Sequence, residues 1–151
     1  MTLKDWKEAP VFGERAPNVR YTLRPGAYAF LRRAHDELAL VRTPQGVFLP
    51  GGGIEADETP EAALVREVME ECGFVVRAGA WAAHAVQFVY STVEGKHFEK
   101  RCIFMQAEIV SSAGTPTERD HELVWVSREE ACKILAHESQ RWAVATWASR
   151  D

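Results

Sequence analysis

The apolar positions of this chain change period along its length, and the changes mark its elements. Gly26 to Leu31 (GAYAFL) is a short, nearly continuous apolar run, which predicts a strand. Glu37 to Val41 (ELALV) predicts its hairpin partner across a turn at Arg33–Asp36. Before them, residues 1 to about 25 read as an irregular lead-in broken by Pro10, Gly13, Pro17 and Pro25, with Val19 to Leu23 as a short edge strand. Pro44, Gln45 and Gly46 make the next turn, and Val47 to Leu49 is a short strand running into a loop at Gly51, Gly52 and Gly53.

The period then becomes helical. Thr59 is suited to an N-cap, Pro60 to the first helical position and Glu61 to the first turn, so a helix is expected to about Cys72, stopped by Gly73. Strands follow at roughly 74–77, 80–90 and 98–110, the last two joined by a turn at Glu94-Gly95, and Leu123 to Val126 forms another. Ser127 with Glu130 three residues later reads as a capping box opening a helix to about Ala136, and an amphipathic helix covers about 138–149. Strands interleaved with helices give an α/β class, with a mixed central sheet and helices on both faces. No repeat, low-complexity tract or linker divides residues 1–151, which are expected to form one domain.

Composition narrows the function classes. The chain has 151 residues, 46% of them hydrophobic and 26% charged, as in an ordinary globular protein. With 18 Lys and Arg against 22 Asp and Glu, its net charge of −4 argues against a general nucleic-acid or membrane-surface binder. Cys72, Cys102 and Cys132 stand far apart and are odd in number, so neither a disulfide framework nor a thiolate metal cage is expected. Met1 to Pro10 carries Lys4, Asp5, Lys7 and Glu8 and lacks an apolar run, and no stretch is long enough for a membrane span; a cytoplasmic protein is expected.

The acidic charge is concentrated. Residues 52–74 hold seven acids and one base, a net of −6, while the remaining 15 acids and 17 bases give +2. On a helix, Glu67, Glu70 and Glu71 are related as i, i+3 and i+4 and project from one face within an arc of roughly 100°. Ala62, Val65, Val68, Met69 and Cys72 fall on the opposite side of the same wheel. Carboxylates crowded this closely repel unless a cation compensates. Oxygen-only ligands favour a hard divalent ion, Mg²⁺ before Mn²⁺, often completed by substrate phosphates. The glycine run just ahead lets the backbone approach a ligand closely, so that a carbonyl there joins the metal shell and N–H groups of Gly52 and Gly53 meet phosphate oxygens. A solvated acidic helix after a plain glycine turn is the simpler alternative, and it leaves unexplained why the two arrive together.

The stretch resembles the Nudix box, G-x5-E-x7-R-E-U-x-E-E-x-G-U with U a bulky apolar residue. Gly52, Glu58, Arg66, Glu67, Val68, Glu70, Glu71, Gly73 and Phe74 match every defined position, nine over 23 residues. The resemblance implies a Nudix-type α/β/α sandwich and a Mg²⁺-dependent hydrolase that cleaves the diphosphate bond of a nucleoside diphosphate linked to another group. It implies Glu70 and Glu71 as main metal ligands assisted by the Gly51 carbonyl. Glu67 becomes a further ligand or the base that orients water, and Arg66 pairs with Glu58 or a box carboxylate. A further acidic ligand is expected from the segment holding Glu118, Asp120 and Glu122, with Glu122 the first choice.

Phe88, Tyr90 and Phe98 lie on expected strands, where they either stack a nucleobase or fill the core. Arg20, Arg24, Arg32, Arg33, Arg42, Lys96, Lys100 and Arg101 form an anion entrance or a solvated rim. The five histidines are isolated, without the spacing of a zinc site. Trp142 and Trp147 are expected on the buried face of the last helix, Trp81 and Trp125 in strand cores, and Trp6 has no inferable partner. The expected substrate is a nucleoside triphosphate or dinucleoside polyphosphate, with an ADP-ribose-like compound next. The rival is a non-catalytic Nudix-like module that binds a nucleotide or a protein. No membrane or stable nucleic-acid partner is expected, and two-fold symmetry is common enough to suggest a homodimer.

Overall fold

One long strand, β2 (Tyr21–Arg33), organises the chain, because both of its faces are buried. The structure, a computed structural model, describes residues 3–112, 114–117 and 119–148. A 3₁₀ turn over Leu3–Glu8 leads to β1 (Val11–Phe12) and then to β2. After it come β3 (Glu37–Thr43), β4 (Gly46–Phe48), β5 (Gly51–Gly53) and helix α1 (Pro60–Cys72). Two long strands, β6 (Phe74–Ser91) and β7 (Lys96–Ser112), are followed by β8 (Glu122–Ser127), α2 (Arg128–Ile134) and α3 (Glu138–Trp147). Among the described residues no helix is long and apolar enough to cross a membrane.

The strand order is β1-β6-β7-β2-β3-β4, with β5 paired to β2 and β8 to β3. β2 runs parallel to β7 from Tyr21↔His97 to Leu31↔Ala107, and β1 runs parallel to β6; the other pairs are antiparallel. β2 and β3 share only Arg32↔Leu38 and Arg33↔Glu37, so the expected hairpin closes at its turn and then opens. Side chains alternate across a strand. Ala27, Ala29 and Leu31 therefore pack with Leu64, Val68 and Cys72 of α1, while Tyr28 and Phe30 pack with Ala131, Leu135, Ala143 and Val144 from the α2–α3 side. That is the expected α/β/α sandwich, and it explains the continuous apolar run: a strand covered on both faces has no polar side to show.

Several expectations change. Val19–Leu23 and Gly26–Leu31 are not two strands; Pro25 sits within β2, opposite Arg101, and its carbonyl accepts from the Ile54 amide at 3.0 Å. Segments 74–77 and 80–90 also fuse into β6, with register shifts at Val75/Val76, Ala78/Trp81 and Trp81/Ala83 that absorb the break. The lead-in is more ordered than its prolines suggest, since Trp6 is buried edge-on to His84, with ring centroids 5.0 Å apart. In α1, Ala62 is exposed and Ala63 and Leu64 carry the burial; in α3 the buried positions are Ser139, Gln140, Ala143 and Val144, with Trp142 and Trp147 at the margin. The last helix reaches Trp147; residue 149 lies outside the described residues.

Buried polar groups strap the helical layer to the sheet. Gln140 accepts from the Leu49 amide at 2.8 Å, and Gln87 accepts from the Ser139 amide at 2.9 Å. The Ala136 amide donates to the Val47 carbonyl at 2.9 Å. The bonds to Leu49 and Val47 pin the chain immediately before the three glycines, where an unpaired buried amide would cost about 1–3 kcal/mol.

α1 ends as its sequence dictates. Gly73 takes φ +73° and its amide returns to the Met69 carbonyl, a left-handed C-terminal cap. A Cβ there would collide with the Gly114 carbonyl. Gly73→Ala is therefore expected to lower stability by about 1–3 kcal/mol, read as a reduced denaturation midpoint; an unchanged midpoint would show that the cap is not strained against its neighbour.

Candidate active site

The site begins with the placement of α1. Thr59 caps it by accepting from the Ala62 amide at 3.1 Å, and Pro60 opens it, so the helix starts at a fixed residue. Glu67, Glu70 and Glu71 then fall in its last two turns, with Glu67 and Glu71 against the glycine strand. β5 is that strand: the expected loop pairs with β2 through Gly26↔Gly53, Ala27↔Gly52 and Tyr28↔Gly51. Gly51 has φ +143°, and a Cβ on it would collide with the Ala27 carbonyl, so glycine is required there.

Arg66 gathers the acidic groups. Its Nε and Nη2 grip the two oxygens of Glu58 at 2.7 and 2.9 Å, its Nη1 donates to Glu67 at 2.9 Å and reaches Glu70 at 3.5 Å, and Nη2 also donates to the Gly53 carbonyl at 3.0 Å. A rigid planar fork suits this role, and lysine could not reproduce it. The Arg66 bonds, with help from the Glu55 amide, hold the Glu58 carboxyl down at about 2; Arg66, through Glu58 first, is held firmly in its charged form.

The three helix carboxylates have distinct settings. Glu71 is buried; it accepts from the Gly51 amide at 2.8 Å and lies 3.4 Å from Nδ1 of His121. The Glu67 carboxylate lies over Gly52, so close that a Cβ there would stand 2.7–2.8 Å from it. Glu70 is the most open of the three. Among the described residues these groups do not form a ready-made three-ligand cage.

The structure thus brings Gly51, Gly52, Gly53, Arg66, Glu67, Glu70 and Glu71 together. It does not bring Glu122 to them: that side chain is exposed and reaches Arg42 at 3.8 Å, its register partner across β3–β8. Its neighbour His121 meets Glu71 instead. Glu118 lies outside the described residues, and Asp120 is exposed.

The expected aromatic platform is dispersed. Phe98 is buried, with the Arg24 guanidinium 3.9 Å above its ring, Tyr90 is exposed against His97, and Phe88 packs edge-on to Tyr21. Phe88 lines a hollow of about 380 Å³ with Trp6 and Arg101, remote from the box residues. The hollow that adjoins the glycine strand holds about 250 Å³ and is lined instead by Arg24, Phe48, Glu71, Lys100, His121 and His137, besides the glycines. Burial first, then Lys100 and Arg141, pushes His137 down to about 4. The two histidines carried no spacing signal, because they reach the pocket from separate elements. For His121 a usable clue was alternation, since it faces opposite to Glu122 at the start of β8.

A family model described as the NUDIX domain matches residues 22–148. The chain belongs to the NUDIX family. Nudix relatives include diphosphoinositol polyphosphate phosphohydrolase 2 of Mus musculus, 29% identical over 115 residues, covering 74% of this chain and 62% of the relative. Diphosphoinositol polyphosphate phosphohydrolase 3-beta of Bos taurus is 30% identical, covering 74% and 68%. The chain thus spans a little under two thirds of the length of the mouse relative. Among solved structures, a NUDIX hydrolase from Nitrosomonas europaea superposes with a TM-score of 0.63 at 18% identity, covering 82% of this chain and 87% of that one. A MutT protein from Methanosarcina mazei gives 0.62 at 22%, covering 85% and 94%. Both share this Nudix fold.

The Glu58–Arg66 pair generates a pH dependence. The folded carboxyl is depressed from 4.5 to about 2, so its contribution to stability is fully present above pH 4.5 and is lost as pH falls toward 2. Wild type is expected to resist urea better than Glu58→Gln near neutral pH, with the gap closing across that window; a pH-independent gap would remove the pair from the stability of the box.

Proposed function

We propose that this chain, acting as one Nudix domain, is a divalent-metal-dependent diphosphohydrolase that cleaves the diphosphate bond of a nucleoside diphosphate joined to another group. The observation that carries the reading is the joint placement of the Glu67 and Glu71 carboxylates on Gly52 and Gly51, with Arg66 locking Glu58, Glu67 and Glu70 behind them. The donor set fits a hard ion: it is all oxygen, it is crowded with like charge, and one guanidinium offsets only part of that charge.

Glu70 and Glu71, with the Gly51 carbonyl, would hold Mg²⁺, with Glu67 beside them as base, and Mn²⁺ suits the same ligands. When bound, the ion supplies neutralisation of phosphate charge and a lowered pKa for water. Glu67 takes the proton of the attacking water as its oxygen bonds to phosphorus and the bridging P–O bond breaks. Arg66 keeps Glu67 and Glu70 oriented throughout. Backbone N–H groups of β5 orient the phosphate oxygens.

A nucleoside triphosphate or dinucleoside polyphosphate is the leading substrate, with ADP-ribose-like compounds next. The names of the curated relatives add diphosphoinositol polyphosphates to the panel. Purified protein with Mg²⁺, assayed for phosphate, diphosphate or nucleotide release across that panel, is expected to turn over at least one compound. Glu70→Gln with Glu71→Gln is expected to lose more than about a hundredfold, beyond what outer-shell changes cost. Full activity of the double variant would sink the mechanism, and no turnover on any compound would favour a non-catalytic binding module.

Gly52→Ala separates site geometry from folding. Its added Cβ has to displace the Glu67 carboxylate, at 2.7–2.8 Å, while its backbone needs no left-handed conformation. Activity is expected to fall at least about tenfold with little change in melting temperature; an active, normally folded variant would remove Glu67 from the proton-transfer role.

A further inference from the structure

The wall of the pocket facing away from α1 carries a charge arrangement that the hydrolytic reading does not use. Arg24 and Lys100 are register partners on the parallel β2–β7 pair, so both side chains leave the sheet on the same face. Both line the 250 Å³ pocket beside Gly51–Gly53 and Glu71. Arg24 already has partners: the Phe98 ring lies beneath its guanidinium at 3.9 Å and Glu94 accepts from it at 3.0 and 3.4 Å. The Lys100 ammonium has no hydrogen bond or ion pair among the described residues, although the residue is half-buried. Burial, with Arg24 adding to it, pushes the ammonium down from its usual range, and Lys100 in turn helps depress His137.

Two neighbouring cations in a partly dry pocket oppose each other. Glu94 bonds Arg24 directly and acts on Lys100 only at longer range, so the ammonium has no carboxylate in contact with it. Glu71 on the opposite wall already accepts from the Gly51 amide. A neutral base or sugar offers the ammonium an acceptor but no counter-charge, whereas a phosphate oxygen supplies both in a charge-assisted bond.

We propose that Lys100 and Arg24 form a subsite for a phosphate other than the two joined by the scissile bond, so that the substrates are diphosphates carrying at least one further phosphate. The proposal rests on the diphosphohydrolase reading for its catalytic consequence, though not for binding. The extra phosphate has two sources, a third member of a linear chain or a monoester on the organic part.

Three substrates distinguish them: ADP-ribose, its 2′-phosphorylated form and ATP. Wild type is expected to prefer one or both compounds with the added phosphate. Lys100→Gln is expected to lose about tenfold to a hundredfold in kcat/KM for the preferred compound, mainly through KM, and at least about tenfold less for ADP-ribose, as one charge-assisted bond would dictate. Lys100→Arg should restore much of the difference. A loss confined to ATP identifies the linear chain, and one confined to the 2′-phosphate identifies the monoester. Equal loss on all three overturns the proposal.

A second arm does not depend on turnover. Calorimetric titration of inorganic tripolyphosphate into metal-free protein with EDTA present is expected to show binding that Lys100→Gln weakens and high salt suppresses. Unchanged tripolyphosphate affinity in a folded Lys100→Gln protein overturns the subsite. Absence of turnover on every compound, with this binding intact, would instead overturn the hydrolase reading alone.

Discussion

Crowded carboxylates must be held against one another's charge, and in this chain the Arg66 guanidinium does much of that holding. Its five donors reach Glu58, Glu67, Glu70 and the Gly53 carbonyl, so one side chain connects the turn before α1, the face of α1 and the glycine strand. Each contact alone is a modest ion pair. Together they share one rigid plane, which couples the positions of three acids to a backbone carbonyl. Glu58, itself anchored by the Glu55 amide at 2.9 Å, supplies the counter-grip that stops Arg66 from following any single acid.

That clamp is useful only if the glycine strand is itself immobile. Its register on β2 fixes one side, and the Gln140 bond to the Leu49 amide fixes the chain just before it. β2 is in turn held by packing on both faces, where burial of a large side chain such as Phe30 contributes about 1.5–3 kcal/mol. The order of dependence runs from the sandwich core, through β2 and the glycine ladder, to the carboxylates.

α1 was legible in the sequence because every signal that defines it is local: the Thr59 cap, Pro60, Gly73 and the spacing of the three acids. The α/β class and the layered arrangement were legible for a similar reason, since alternation and helical period follow from short-range geometry. Pairing partners were not. Three successive glycines have no side chains to declare a strand, so β5 becomes one only through β2. Pro25 argued for a break, yet a strand can accept proline where its nitrogen has no ladder partner. Phe98 illustrates the limit for the site. It was expected to serve a base or the core; it is buried as the core reading had it, and it also supports Arg24, a role set by a contact across 74 residues that no spacing rule anticipates. His121 and Glu122 show the same limit on a smaller scale, because one residue of alternation decides which side chain faces Glu71.

The concentration of acid in one segment of a mildly basic chain takes on geometric meaning in the pocket. The negative groups are carried by α1 and held to β5, while the positive ones stand on β2 and β7. Both walls are referred to the same strand: Gly26 pairs with Gly53, and Arg24 lies two residues earlier, about 7 Å along β2. The separation between the acidic and the basic groups is therefore set by ladder hydrogen bonds, not by flexible loops. A site built this way selects ligands by the distance between their charges and does so before binding, which keeps the ordering cost of association small. Variation in the exposed turns would alter what surrounds the ligand, whereas the spacing of its charged groups would change only with the register of β2 against β5 and β7.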